Sequence, residues 1–375
     1  MKYRKFGTTG FDISALGFGC MHFPEFEKDG KWYIDEEKTI PMLHRAVELG
    51  INYFDTAFYY CHQNSQYTVG KALKPFRDQV KISTKIPMGN VKEPADYRKI
   101  LEESLRRMDT DYIDYYHMWG IDKKSFDEII TPNNLMKEAL KAKEEGLIKH
   151  ISFSFHDEPE NMRYIIDRGE VFESVLCQYN LLDRANEEAI DYAVSKGLGV
   201  VAMGPVAGGR LAAPTGLYEK LTGKKSTATY ELALKFVLGN KNIACALSGM
   251  STLEMVEQNA AAATAGDALS EEELSAIKTS MAELAKFSDL YCTGCNYCNV
   301  CPQKIAIPSV FNDYTLYNVY GLTEAAKRNY KEFLKELPDH TPDKCTDCGL
   351  CETKCPQKLQ IRKELKRVDA LLRSL

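Results

Sequence analysis

Over residues 1 to 265, short apolar runs rich in β-branched and aromatic residues alternate with longer stretches whose apolar positions recur at helical spacing. The runs "SALGFGCM" (14–21), "NYFDTA" (52–57), "VKISTKI" (80–86), "YIDYYHMW" (112–119), "KHISFSF" (149–155), "SVLCQYN" (174–180), "GVVAMGP" (199–205) and "IACALSG" (243–249) predict eight strands. Between them, "EEKTIPMLHRAVELG", "ADYRKILEESLRRM", "NLMKEALKAKEEG" and "ANEEAIDYAVSKG" read as amphipathic helices, three of them ending on the glycine that suits a helix C′ position. Eight β/α units in succession predict an α/β fold closed into a (β/α)8 TIM barrel in preference to an open doubly wound sheet. In such a barrel the chemistry gathers at the C-terminal ends of the strands and in the loops that follow.

The pattern changes further along. "SEEELSAIKTSMAEL" (270–284) predicts a helix with a serine N-cap and a glutamate three residues on, packed outside the barrel. From Tyr291 to about Arg362 the chain turns to cysteine, proline and polar residues, with a helical insert "GLTEAAKRNYKEFLKEL" and then a terminal helix "IRKELKRVDALLRSL". The expected organisation is a barrel over residues 1–287 and a small cysteine-rich domain over 288–375, which the cysteine spacing given below makes a ferredoxin-like iron–sulfur domain. A chain of 375 residues has room for both.

With 44% hydrophobic and 27% charged residues, the composition is that of a globular protein. A net charge of −5 gives no electrostatic reason to expect nucleic acid or an anionic membrane as partner, which leaves a small molecule as the expected one. The N-terminal stretch has no continuous apolar h-region, and no segment approaches a membrane span, so a cytoplasmic location is expected.

Of twelve cysteines, Cys20, Cys61, Cys177 and Cys245 are scattered and eight crowd together. "CTGCNYCNVCP" sets Cys292, Cys295, Cys298 and Cys301 at C-x2-C-x2-C-x2-C-P, and "CTDCGLCETKCP" sets Cys345, Cys348, Cys351 and Cys355 at C-x2-C-x2-C-x3-C-P, the bacterial ferredoxin spacing. Three closely spaced thiolates wrap one face of a cubane, and the fourth, turned away by its proline, ligates the other cluster. Cys292, Cys295, Cys298 and Cys355 are therefore expected to hold one [4Fe-4S] cluster, and Cys345, Cys348, Cys351 and Cys301 a second. Two four-thiolate zinc sites would use the same ligand type, but the triple spacing with Cys-Pro argues against them. Disulfides are disfavoured in a reducing compartment.

At the barrel's predicted rim, "NYFDTAFYY" places Asp55 and Tyr60 five residues apart, and "STK" ends the next strand on Lys85. An acid, a phenol and an amine thus stand at adjacent strand ends. In this order, on eight β/α units and with the cysteine runs following, the chain resembles the aldo-keto reductases, specifically the branch that carries a C-terminal ferredoxin-like domain. The resemblance implies reduction of a carbonyl compound, or the reverse oxidation of an alcohol, by NAD(H) or NADP(H). It also implies a tetrad of Asp, Tyr, Lys and His, with Asp55, Tyr60 and Lys85 in the first three places. An ammonium beside a phenol favours the phenolate and makes a tyrosine of pKa near 10 a usable acid.

The fourth place departs from the pattern, because relatives tend to carry their histidine where this chain has Trp119, and the histidine here is His117. Both share a strand face, with His117 about 7 Å deeper at ~3.4 Å per residue. Polarising donor and core packing both stay open for His117, as does substrate contact for Trp119. For the nicotinamide, the resemblance implies Ser154 and His156 of "SFSFHD" and Gln178 of "CQYN"; for the adenosine, Ser248, Gly249 and Asn259 of "SGMSTLEMVEQN". Ser251 stands where many relatives carry a cation for a 2′-phosphate, which leaves the choice between the two nucleotides unresolved. Cys61 and His62, beside Tyr60, fall short of a metal ligand set and read as loop packing.

Two other functions share these features. One is a reductase whose clusters receive electrons from a ferredoxin or flavoprotein partner; the other is an iron–sulfur electron carrier or sensor on a barrel that has lost hydride transfer. Substrate choice falls to the loops "MHFPEFEKDGKWY", "GIDKKSFDEIITP" and "VAGGRLAAPTG".

Overall fold

The computed structural model describes residues 1–181, 183–207, 211, 229–264, 269, 273, 290, 292, 294–318 and 323–375. Two compact units are present: Met1–Asn180, Arg184–Pro205 and Leu234–Ala268 form one, and Leu181–Asp183, Val206–Ala233 and Leu269–Leu375 the other.

In the first unit the strands are β1 (Tyr3–Lys5), β2 (Asp12–Ser14), β3 (Leu16–Gly19), β4 (Glu25–Lys28), β5 (Lys31–Ile34), β6 (Tyr53–Asp55), β7 (Lys81–Pro87), β8 (Ile113–Ile121), β9 (Ile148–Phe155), β10 (Ser174–Gln178), β11 (Gly199–Met203) and β12 (Cys245–Gly249). Eight of them, β3 and β6 to β12, close into a barrel in that order, each paired with the next and β12 returning to β3. All these pairings are parallel. The eight predicted strands are these eight, each within a few residues of its predicted ends. Helices Glu36–Glu48, Pro94–Met108, Leu135–Glu144 and Glu187–Ser195 fall where the spacing put them. Asp35 caps the first by accepting from Lys38 N–H, and Glu93 and Asp96 form a reciprocal capping box on the second. The predicted helix 270–284 and the loop "VAGGRLAAPTG" lie outside the described residues, apart from Glu273, the run Val206–Ala207 and Leu211.

Period-two alternation stacks the barrel interior in layers. Phe6, between β1 and β2, plugs the floor, its ring 5.0 Å from Tyr115 and 6.0 Å from Tyr53. Leu176, Val201 and Leu247 complete this apolar cluster. Two residues further along β6 and β8, on the same interior faces, the next side chains are Asp55 and His117, and Lys85 pairs in register with His117. Two more residues along β8 comes Trp119.

Two antiparallel pairs lay outside the sequence reading. β1 with β2 frames the floor, and β4 with β5 forms a hairpin in the loop after β3. Asp29 and Gly30 turn the hairpin, with φ of 52° and 72°, the left-handed pair that a two-residue I′ turn requires. "KDGK" between two runs with aromatic residues was the signal for it.

In the second unit, helices Ile307–Asn318, Thr323–Glu336 and Ile361–Ser374 pack on one another around Val310, Phe311, Tyr330, Leu365 and Val368. Among the described residues no helix is long and apolar enough to cross a membrane.

Candidate active site

Asp55 ends β6 and Lys85 lies near the end of β7, both 1% exposed. Lys85 Nζ donates to Asp55 Oδ2 at 2.5 Å and to the Thr56 carbonyl at 2.8 Å, while Ser83 Oγ donates to Asp55 Oδ1 at 2.6 Å. Ser83 lies two residues before Lys85 on the same strand face, so the period-two alternation of the sequence is the signal that pairs it with the site. Burial pushes the Lys85 pKa down, and Asp55 pulls the other way. Tyr60 sits above this pair, with Lys85 Nζ 4.7 Å from its ring centroid.

His117 is fully buried beside Lys85. Its Nε2 lies 3.4 Å from the Tyr53 hydroxyl, and its Nδ1 makes no hydrogen bond among the described residues. Burial depresses its pKa to about 4, against an attraction from Asp55 and helped by repulsion from Lys85. The imidazole is therefore neutral at physiological pH, in a layer below the mouth. Trp119 takes the mouth position: its ring stands edge-on to Tyr60 at 5.6 Å and tilted against Tyr59 at 5.9 Å. This aromatic group was not read from the sequence, because its members come from different loops and strands.

The backbone after Tyr60 runs through three successive left-handed residues, Cys61, His62 and Gln63, at φ of 50°, 51° and 72°. Non-glycine residues adopt that region at a cost, and the hairpin holds them there. His62 Nδ1 meets Glu25 Oε1 at 2.9 Å, its ring stacks on Trp32 at 4.8 Å, and Asn64 donates to the Trp32 carbonyl. Cys61 points its thiol at the Met21 carbonyl, 3.4 Å away, and burial raises its pKa to about 12. Cys61 and His62 thus serve loop packing. Ser65 bridges the Cys20 carbonyl and Thr56, and Gln66 donates to Thr84, tying the following helix to the strand ends.

The residues singled out for the nucleotide stand at neighbouring strand ends. Ser154 Oγ, at the end of β9, accepts from Gly120 N–H at 2.7 Å. Gly120 sits at φ 61° in a bulge of β8 that shifts its register on β9, and His156 packs beside it. Gln178 ends β10, nearly buried. Asn259 Nδ2 reaches back from the helix Leu253–Thr264 to donate to Ser248 Oγ at 3.0 Å, beside Gly249 at the end of β12. Ser251 donates to the Met255 sulfur at 3.5 Å.

In the second unit a cavity is lined by Cys292, Cys295, Cys298 and Cys355, with Ile307, Pro308, Phe311, Leu359 and Ile361 supplying apolar walls. Burial and the neighbouring Cys292, Cys295 and Cys355 raise the Cys298 pKa. Cys351 is likewise raised by burial, with Cys301 and Cys345 among its neighbours. Among the described residues no three His, Cys, Asp or Glu side chains close around a single-ion point; the four thiols ring a cavity. An apolar, thiol-lined cavity fits a cluster, which bridges ligands that do not touch one another.

Comparison with known proteins agrees with both halves. The chain matches the aldo/keto reductase family model over residues 15–282 and a 4Fe-4S dicluster domain over residues 259–359. It is similar to L-galactose dehydrogenase of Arabidopsis thaliana, at 32% identity over 70% of this chain and 88% of that protein. An uncharacterized oxidoreductase of Bacillus subtilis, YqkF, is 29% identical over 74% of this chain and 96% of its own. Among solved structures, the holo form of the aldo-keto reductase AKR11C1 from Bacillus halodurans superposes with a TM-score of 0.64 at 30% identity, covering 74% of this chain and 96% of that one. The parallel barrel with its buried Lys–Asp pair and the cysteine-rich unit that follows agree with these two matches: the chain belongs to the aldo/keto reductase family of oxidoreductases and carries a 4Fe-4S dicluster domain.

Proposed function

We propose that the barrel reduces a small carbonyl compound, or oxidises the corresponding alcohol, with a nicotinamide cofactor, and that the cysteine-rich unit holds two [4Fe-4S] clusters. The observation that carries this reading is the buried Lys85–Asp55 pair with the Tyr60 ring over the ammonium. A lysine removed from water is costly to keep charged unless a partner holds it, and this one lies where its charge acts on a phenol.

Tyr60 donates its proton to the carbonyl oxygen. Lys85 favours the resulting phenolate, and Asp55, fixed by Ser83, keeps Lys85 charged and aimed. The nicotinamide, when bound, supplies the hydride. Ser154 suits its carboxamide because the Gly120 N–H already occupies a lone pair of the hydroxyl, which leaves the O–H to donate. Gln178 and His156 flank that place. Ser248, Gly249 and Asn259, with the start of the helix Leu253–Thr264, take the adenosine end. Ser251 offers no charge for a 2′-phosphate, so either NAD(H) or NADP(H) is compatible. In this reading His117 is a positioning residue and Trp119 a wall of the substrate pocket. Cys292, Cys295, Cys298 and Cys355 hold one cluster and Cys345, Cys348, Cys351 and Cys301 the other, each storing one electron at a time. Eight thiolates of this kind belong in a reducing cytoplasm.

A second reading, in which a redox partner feeds the clusters, draws support from the exposure of Cys348. A barrel retired from catalysis is disfavoured, since it would have no use for the buried pair.

The test is anaerobic purification with iron and sulfide analysis and titration by NADH and NADPH on one sample, with Tyr60→Phe alongside. About eight irons and eight sulfides are expected, with binding of at least one nucleotide and a fall in kcat of about a hundredfold or more for Tyr60→Phe. Zinc in place of iron rejects the cluster reading. Unchanged turnover by Tyr60→Phe rejects the barrel chemistry.

A further inference from the structure

The two cysteine sets differ in their surroundings. The first lines a cavity walled by Ile307, Pro308, Phe311, Leu359 and Ile361. In the second, Cys348 is the one exposed cysteine among the described residues. Beside it, the short helix Leu350–Lys354 packs against the turn Tyr297–Val300, and each contributes a large apolar side chain to solvent: Leu350 and Val300, both 47% exposed. Val300 immediately precedes Cys301, and Leu350 immediately precedes Cys351, so both belong to the set that includes Cys348. Apolar side chains left in water next to a ligand of an electron-storing centre call for a partner surface.

Charge states the kind of partner. Lys304, Lys344 and Lys354 are all exposed on the segments that carry these cysteines. The nearby acids are engaged within the unit: Asp343 with Lys344 and Arg373, Asp347 with Lys366, and Glu352 with Arg362. Lys304 and Lys354 make no ion pair among the described residues, which leaves the rim basic.

We propose that Val300 and Leu350, rimmed by Lys304 and Lys354, form the docking patch for a small acidic one-electron carrier protein, which exchanges electrons with the cluster held by Cys301, Cys345, Cys348 and Cys351. This rests on the two-cluster ligand assignment above. One electron leaves the reduced carrier and one is gained at that cluster; no bond forms or breaks, and the carrier ends one electron more oxidised. An acidic partner meets a basic rim with an association rate that rises as salt is lowered, and a short apolar contact brings the two centres within transfer distance without a large interface.

The test mixes the oxidised holoprotein with a dithionite-reduced acidic ferredoxin under anaerobic stopped flow and follows bleaching of the cluster absorbance, a readout independent of turnover. Leu350→Glu and Lys304→Glu are each expected to slow carrier-driven bleaching about tenfold or more, with rates falling as ionic strength rises. Bleaching by dithionite alone, a small anion that needs no docking, should stay unchanged. Leu350→Ala repeats the measurement in case the glutamate disturbs folding. Equal carrier rates for wild type and variants of equal iron content overturn the docking patch. Cys348→Ala tests the ligand assignment separately: loss of about half the iron supports it, and unchanged iron sinks it whatever the carrier rates show.

Discussion

His117 and Lys85 pair in register on adjacent strands, and burial lowers the pKa of both against the pull of Asp55, but only Lys85 is bonded directly to that carboxylate. For His117, the pKa of about 4 in the folded chain lies below the ordinary 6.5. Between those values the unfolded chain binds the extra proton, so stability must fall as pH drops through that window, by about 3 kcal/mol at most. His117→Gln should flatten this dependence, as read by urea unfolding at pH 5 and pH 7.5; an identical pH slope in the variant would exclude His117 as its source. For Lys85, removing one partner leaves a buried carboxylate exposed to nothing but Ser83. Lys85→Met should cost about 3–5 kcal/mol, and adding Asp55→Asn should recover part of it, which denaturant melts of the single and double variants will measure. At this scale the sequence named residues that the fold brings together: Asp55 and Lys85 bond directly, and Asn259 reaches Ser248. It carried the depth of His117 below Trp119 through the strand rise, but not its Tyr53 neighbour, since contacts between non-adjacent strands depend on barrel stagger that no local pattern encodes.

Elements tell a different story. Each barrel strand was legible because burial on both faces demands continuous apolar runs, whereas the hairpin β4–β5 has exposed faces and a mixed pattern with only its Asp-Gly turn to declare it. That hairpin matters to the site. Through Trp32 and Glu25 it clamps His62, and with it the left-handed run that follows Tyr60. Gln63, at φ 72°, is the residue of the three with the weakest side-chain tie, a 3.4 Å contact from Arg107. Gln63→Gly should relieve backbone strain for a net gain of up to about 1 kcal/mol after its entropy cost, visible as a rise of a few degrees in the barrel's melting temperature. A lower melting temperature would mean that the side chain, and not the backbone, sets the stability of this turn.

On the scale of the whole molecule, the two units rest on different foundations. The barrel has an apolar core extending through all eight strands, while in the second unit the helices Ile307–Asn318, Thr323–Glu336 and Ile361–Ser374 gather around a core into which cysteines are packed. With the proposed clusters bound to those thiols, metal binding would contribute directly to the folding of this unit. Stripping the iron with a chelator should therefore open the second unit while the barrel persists, and limited proteolysis will show cuts between residues 292 and 355 with a resistant barrel fragment. Simultaneous loss of both would mean that they unfold as one. The cysteine spacing was the most readable feature of the chain because its geometry is written in steps of two and three residues. The thiol-lined cavity adds a consequence for biosynthesis. Three of its cysteines, Cys292, Cys295 and Cys298, leave the ribosome together, but the fourth, Cys355, follows 57 residues after Cys298. A nascent chain has made all eight barrel strands before either cysteine run, yet it has no complete thiol set to offer an iron–sulfur donor until the second run has emerged. Loading thereby waits on that second run, and chains cut short before Cys355 are left without a full ring of ligands.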